Sequence, residues 1–263
     1  MSRIVVENAR IIKMRNPGRD FHVMTIAPFS KIKSIKPGQF VHLKIPQCRV
    51  YFRRAFSVYD FNPENKSVDI IFRVCGRGTS VMAKLGKGDE IDILGPLGNG
   101  FRLPGKSETA LLIAGGVGMP PVYLLAKKLL EKKYNPENIF FFYGANSRTE
   151  LVDINHIKKL GVQAIVSTLD GSSGYKGLIT GAVNKWLKSH DGKRIIYACG
   201  PEGMLQAVDN LASVNKIPGQ LSLEAPMPCG VGICLGCIRP LKSGGYTRVC
   251  RDGPVYDIGE VLL

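Results

Sequence analysis

Over its first hundred residues the chain alternates short apolar runs with clusters of turn formers. Val, Ile and Phe concentrate in Arg3–Val6, Phe21–Ile26, Phe40–Lys44, Ala55–Tyr59, Val68–Val74 and Glu90–Leu94, the length and composition of strands. Pro37-Gly38, Asn62-Pro63, Gly86–Gly88 and Gly95-Pro96 stand between them and favour chain reversal. Six short strands in this rhythm predict a small antiparallel barrel or sandwich. One helical interruption is expected at Thr79–Lys84, just after Gly76-Arg77-Gly78.

Past Gly105 the pattern changes. Thr109–Ala114 is a continuous apolar run, as expected of a parallel strand buried on both faces. Gly115-Gly116-Val117-Gly118 follows, then Pro121 in a first helical turn and a helix through Lys133. Further buried strands are expected at Ile139–Tyr143, Ala164–Ser167 and Arg194–Ala198, the last entering Cys199-Gly200-Pro201 and a helix from about Glu202. This alternation predicts an α/β domain with a parallel sheet. The organisation read from the sequence is therefore multidomain, β followed by α/β: a barrel over residues 1–104, an α/β domain over 105–218 and a small cysteine-bearing module over 219–263.

Composition adds bounds. The 263 residues are 44% hydrophobic and 22% charged, enough apolar material for real cores. The net charge of +15 is spread along the chain, with no basic block interleaved with aromatics, so nucleic acid is not an expected partner. A diffuse positive field also suits anionic cofactors. The longest apolar stretch, Ala110–Ala126, is broken by Gly115-Gly116 and Pro120-Pro121 and is not a membrane span. Apolar and charged residues alternate from Met1 to Asn16, which reads as a strand and not as a signal peptide; a cytoplasmic location is expected.

The most specific chemical signal is Cys229, Cys234, Cys237 and Cys250, in the pattern C-x4-C-x2-C…C. This is the ligand spacing of a plant-type 2Fe–2S cluster. Glycines at 230, 232 and 236 permit positive φ and close approach of backbone N–H groups to sulfur. Zinc sites usually carry two close pairs, or one pair with downstream histidines, and only one close pair occurs here. Ile238 after Cys237 argues against covalent haem, and Cys229 and Cys250 argue against a solitary thioredoxin-like pair. Cys48 and Cys75 read as small, partly buried apolar residues.

Other motifs are weaker. Gly115, Gly116 and Gly118 join a strand to a helix, where glycine lets a pyrophosphate approach backbone donors; a ligand-free packing turn explains the same residues. Gly100–Ser107 matches a P-loop formally but leads into a strand, and Pro104 removes a donor, so the match is a coincidence of spacing. In Arg53-Arg54-Ala55-Phe56-Ser57 an arginine, an aromatic ring and a hydroxyl could hold a phosphate-bearing ring system. Strand alternation sets Ser57 opposite Arg54 and Phe56, so joint use requires a twist or bulge. Taken alone, the string reads as an amphipathic strand with surface arginines.

Taken together, these residues resemble the ferredoxin–NADP reductase superfamily over essentially the whole chain. The resemblance implies FAD on the barrel, held by Arg54, Phe56 and Ser57 with Ala55 between them. It implies Gly78 and Thr79 of Gly76-Arg77-Gly78-Thr79 at the flavin pyrophosphate, and Ile71, Phe72 and Arg73 lining the flavin. Gly95–Phe101 resembles a string near the end of such flavin domains. Cys199, Gly200 and Pro201 correspond to a turn near the nicotinamide. Within the superfamily the chain most resembles electron-transfer subunits of NAD-linked (class B) dihydroorotate dehydrogenases, through Met227–Cys237 and Val249–Val255. Leu235-Gly236 departs from the Gly-His of hydrogenase γ-type chains, and Cys229 stands where transhydrogenase α-subunits tend to carry aspartate.

This resemblance implies a flavin and iron–sulfur oxidoreductase of pyrimidine biosynthesis that links the one-electron cluster to the two-electron nicotinamide through FAD. Direct hydride transfer needs no protein acid or base, so no catalytic residue is expected. Ser57 is expected near flavin N5 and Cys199 beside the nicotinamide. Dihydroorotate oxidation is expected on a separate FMN-containing catalytic subunit, with the cluster at the interface. NAD is favoured by resemblance alone; Gly144–Arg148 offers no acidic residue for a ribose diol, and Arg148 leaves NADP open. The alternatives are a γ-type subunit of a hydrogenase or sulfide-reducing complex, and a zinc-stabilised nucleotide-binding protein.

Overall fold

The computed structural model describes residues 4–18, 20–46, 51–105 and 107–263. Cys48, Arg3 and the Lys106 of the P-loop match lie outside the described residues. Six antiparallel strands close into a barrel in the order β1-β2-β5-β4-β3-β6. They are β1 (Val5–Gly18), β2 (Phe21–Ala27), β3 (Phe40–Lys44), β4 (Arg54–Asn62), β5 (Ser67–Arg73) and β6 (Glu90–Leu97). Closure works because β1 is long: its first half pairs with β6 and its second half with β2. Alternate residues turn inward, so Ala9 and Ile11, Val41 and Leu43, Val68 and Ile70, and Ile91 and Ile93 share one core. Burying each such aliphatic side chain is worth roughly 1.5–3 kcal/mol. The helix α1 (Arg77–Met82) starts two residues before the expected Thr79 and lowers Met82 fully into this core.

The chain then builds β7 (Thr109–Gly115), α2 (Met119–Glu131), β8 (Ile139–Ala145), α3 (Ile154–Lys159), β9 (Gln163–Thr168), β10 (Tyr175–Lys176), α4 (Ile179–Leu187), β11 (Arg194–Cys199), α5 (Glu202–Val214) and β12 (Gly219–Ser222). A hairpin of β13 (Ile238–Pro240) and β14 (Tyr246–Arg248) and a final β15 (Val255–Asp257) complete the molecule. The larger sheet runs β10-β9-β8-β7-β11-β12-β15, parallel except for β15. Helices α2 and α3 cover one face, while α4 and α5 cover the other. The strands after β7 extend outward on one side through β8 and on the other through β11. Ligands of open α/β sheets bind at such a switch point, beyond the carboxyl ends of the strands.

Helix α3, strand β10 and the β13–β14 hairpin were not anticipated from the sequence, and two further features matter more to the packing. Helix α4 has an apolar stripe, Ile179, Ala182, Val183, Trp186 and Leu187, at helical spacing and seats it on the sheet. The sheet also takes in β12 and β15, which lie in the 219–263 segment. Among the described residues no helix is long and apolar enough to cross a membrane.

The barrel rests on the α/β layer through α2 and the start of α3. The Tyr59 and Tyr123 rings lie 4.8 Å apart, and Lys127 reaches the Asp60 carboxylate at 2.6 Å. Asp153 receives the Arg15 guanidinium (Nη1 to Oδ1, 2.7 Å) and the Tyr59 hydroxyl (3.0 Å). The far side of the barrel meets the C-terminal segment. There Asn99 donates from its backbone to the Gly253 carbonyl (2.7 Å) and from Nδ2 to the carbonyls of Asp252 and Val255, and Oδ1 accepts from the Val255 N–H. A Cβ on Gly98 would fall 2.5 Å from Pro254 Cδ. The two strings singled out in the sequence, 95–101 and 249–255, thus bond to each other.

Candidate functional site

Two adjoining clefts open where the barrel meets the carboxyl ends of β7 and β11. The first, about 250 Å³, is lined by Ala55, Phe56 and Ser57 of β4, Ile71, Phe72 and Arg73 of β5, Thr79 of α1, and Cys199. The second, about 350 Å³, is lined by Gly115, Gly116 and Pro201 together with Phe21, Gly144 and Met204. Arg73, Cys75 and Val117 border both, so the clefts are continuous. Phe56 and Ser57 reach the same cleft beside a register shift between Val58 and Asp60, which supplies the irregularity that strict alternation required.

Not every expected residue faces a cleft. Arg54 lies outside the lining; its Nη1 donates to the Phe52 carbonyl at 2.8 Å, and its side chain passes beside Gly78. Arg53 is bound on both sides by Asp92, at 2.7 and 2.8 Å. The Thr79 hydroxyl accepts from the N–H groups of Cys75 and Gly76 and so ties down its own turn. Gly118 packs on the backbone of Cys199, where a Cβ would fall 2.4 Å from the carbonyl oxygen, so it serves packing at this turn. Gly116, at φ +52°, has open space where a side chain would stand. Pro120 and Pro121 remove two of the donors that an α2 N-terminus would otherwise offer. Gly200 borders a third, smaller cleft with Glu202 and Arg239.

The Cys199 side chain is buried, and burial pushes its thiol well above the usual range, an inert wall and not a nucleophile. Met227, the first residue of the string that carries the resemblance, lines the first cleft. Other cleft residues gave no local signal in the sequence. Phe40 and Glu224 line the first cleft, and Glu224, though partly solvent-facing, has its carboxyl pKa raised by desolvation. Glu150, two residues beyond the Gly144–Arg148 string, lines the second cleft and accepts from Asn146 Nδ2 at 2.7 Å.

Ala225 and Met227, which line the first cleft, lead along the chain into the loop that carries the four cysteines. Their thiols meet in two pairs. Burial raises the Cys229 thiol, but hydrogen bonds from the backbone of Cys234 and Val231 and from the Cys234 thiol outweigh it, taking Cys229 to about 6. Burial and the adjoining Cys237 thiol push Cys250 up to about 12, and the Cys250 N–H points at Cys237 Sγ (3.4 Å). Among the described residues no three His, Cys, Asp or Glu side chains close on one point. Two thiol pairs fit two irons, each taking two thiolates, better than they fit one tetrahedral ion. Gly230 and Gly232 have φ +71° and +80°, as anticipated, but the third left-handed residue is Leu235 at +58°. Gly236 instead admits a close approach, with Cys234 Sγ 3.5 Å from where its Cβ would be. Cys237 and Cys250 are buried, whereas Cys234 is exposed beside Ile233, itself 81% exposed.

Comparison with known proteins bears on this arrangement. The sequence profile of the iron-sulfur cluster binding domain of dihydroorotate dehydrogenase B matches residues 224–262, and that of an oxidoreductase NAD-binding domain matches 112–210. The dihydroorotate dehydrogenase B (NAD(+)) electron transfer subunit of Caldanaerobacter subterraneus is 38% identical over 258 residues, covering 97% of this chain and 98% of the relative. The chain belongs to the family of dihydroorotate dehydrogenase B electron transfer subunits. The Fusobacterium nucleatum member is 40% identical over 235 residues, covering 86% of this chain and 87% of its own. A solved NADH-dependent reduced ferredoxin–NADP oxidoreductase chain, studied for flavin-based electron bifurcation, superposes with a TM-score of 0.84 at 31% identity, covering 97% of this chain and 89% of that one. The expected barrel, parallel α/β sheet and iron–sulfur segment are all present.

Proposed function

We propose that this chain is the electron-transfer subunit of a cytoplasmic, NAD-linked dihydroorotate dehydrogenase. Electrons pass from the FMN of a separate catalytic subunit through a 2Fe–2S cluster and FAD to NAD+. The observation that carries this reading is spatial: a cleft walled by β4 and β5, lined also by the Ala225 and Met227 that lead into the paired-thiol loop, is continuous with a glycine-lined second cleft. Bound FAD supplies the exchange between one-electron and two-electron transfer.

The chain's own residues position and shield. Cys229 with Cys234, and Cys237 with Cys250, hold the irons. Phe56, Ser57 and the Ile71–Arg73 strand wall the flavin, with Ala55 at its edge. Arg54, on releasing the Phe52 carbonyl, would meet the diphosphate together with Gly78 and Thr79. Gly115 and Gly116 receive the nicotinamide nucleotide, and Cys199, Gly200 and Pro201 close the turn beside it. Glu150 supplies the carboxylate for a ribose diol that Gly144–Arg148 lacks, which favours NAD over NADP. The corresponding division is a flavin barrel at 1–104, a nucleotide domain at 105–218 and a cluster module at 219–263.

The partner docks where Cys234 and Ile233 are exposed, which would bring its FMN toward the cysteine loop. Co-purification tests this. The chain is expected to form a stable complex with an FMN-containing dihydroorotate dehydrogenase; failure to associate would remove the dihydroorotate assignment.

A further inference from the structure

Behind the cysteine loop lies a histidine that nothing above employs. His42, on β3, has no solvent exposure, and neither ring nitrogen has a hydrogen-bond partner among the described residues. Burial and the nearby Arg53 hold the ring neutral, pushed down to about 4, so it carries one N–H donor and one lone-pair acceptor. A donor left unmatched in the interior is destabilising, because its lost hydration is not replaced. Both carboxylates of the adjacent β6 are engaged elsewhere: Asp92 by both arms of Arg53, and Glu90 by Arg10.

The ring stands between the two redox sites. On one side it packs against Phe40, with centroids 5.6 Å apart, and Phe40 lines the flavin cleft. On the other it lies directly under Gly230, the residue after the first cysteine. A Cβ there would fall 2.5 Å from the ring Cε1, 2.7 Å from Nδ1 and 3.0 Å from Nε2. The missing side chain at 230 thus leaves the imidazole edge against the backbone of the ligand loop. The loop carries thiolate sulfur, an acceptor in need of donors, from the neighbouring residue Cys229 onward.

We propose that His42 donates its ring N–H to a sulfur of the 2Fe–2S cluster and thereby raises the cluster's reduction potential. The proposal rests on the cluster assignment made above. Hydrogen bonds to cluster sulfurs stabilise the more negative, reduced state, so they draw the potential upward. His42 is a positioning and tuning residue: it binds no iron and transfers no proton. It would make the cluster a better acceptor from the partner while leaving the flavin's own contacts in place.

The test uses the intact, cofactor-loaded chain, reduced chemically, with histidine labelled by 15N. Pulsed paramagnetic resonance of the reduced cluster is expected to show a weak 15N coupling, well below that of a ligating imidazole. His42→Leu should abolish it. In a mediated titration that variant should show about a tenfold less favourable reduction of the cluster, or 59 mV for one electron, with the flavin potential unchanged. His42→Gln, which keeps an N–H donor, should recover most of the shift. A clear 2Fe–2S signal in the labelled wild type without any histidine coupling would overturn the role of His42 alone, and that reading does not depend on any variant folding. A chain with flavin but no 2Fe–2S signal would overturn the cluster assignment and this proposal together.

Discussion

The barrel makes two contacts with the rest of the chain, and they are built from opposite materials. Toward α2 and α3 it uses charge and hydroxyls: Arg15 and Tyr59 on Asp153, and Lys127 on Asp60. Toward the cluster segment it uses close packing and backbone bonds: Gly98 against Pro254, Gly38 against Val255, Gly230 against His42, and Asn99 on residues 252–255. The first lies apart from both clefts, since neither is lined by Arg15, Tyr59, Asp60, Lys127 or Asp153. The second joins the barrel to the segment that carries the four cysteines. Charged and hydroxyl partners make the first contact, whereas the close-packed, glycine-dependent second seam leaves little room to move.

The contrast is broken most severely at the cysteines. Cys250→Ser should eliminate the cluster's visible absorbance and its iron while FAD stays bound, as iron analysis and the flavin spectrum would reveal. Next, Gly230→Val places a side chain on the His42 ring and forces a β-branched residue into φ +71°. A loss of about 2–4 kcal/mol in denaturant unfolding is expected, together with poor cluster loading. Arg15→Ala acts on the polar seam, where the Asp153 side chain is only 4% exposed. It should cost about 1–3 kcal/mol yet leave the cluster spectrum intact.

The same carboxylate sets an acid limb. Burial raises the Asp153 pKa, but the hydrogen bonds from Arg15 and Tyr59 outweigh it and hold the group below its ordinary value. Its stabilisation is therefore full above the unfolded pKa of about 3.9, and is lost as the pH falls through the lower folded value. Unfolding measured from pH 6 to pH 2 should show this limb flattened in Arg15→Ala. Smallest of all, Arg10→Ala removes an exposed pair with Glu90 and should change stability by about 0.5 kcal/mol or less.

How much of this was legible in the sequence follows from how local each signal is. Phe40–Lys44 emerged with the bounds its apolar run suggested, and Ile139–Tyr143 grew by only two residues, because a strand buried on both faces reads as a short unbroken apolar run. The cysteines declared themselves because a cluster demands fixed ligand spacing. Gly118 did not: a glycine that contacts a cofactor and one that lets two backbones touch look alike in sequence, and only the Cys199 carbonyl beside it decides. Pro120 was in plain view, yet its cost to the donors of α2 matters only once the helix is known to start at Met119. His42, Glu150 and Glu224 were invisible for a different reason. Each gains its setting from segments far away in the chain, as when a strand residue at 42 meets a loop at 230.

The central claim, that thiols, flavin and nucleotide form one electron path, is met most directly by NADH formation at 340 nm when dihydroorotate and NAD+ are mixed with the FMN-containing partner and this chain. The account predicts steady NADH production with the wild-type chain and none with Cys250→Ser. Equal rates with both chains would contradict it.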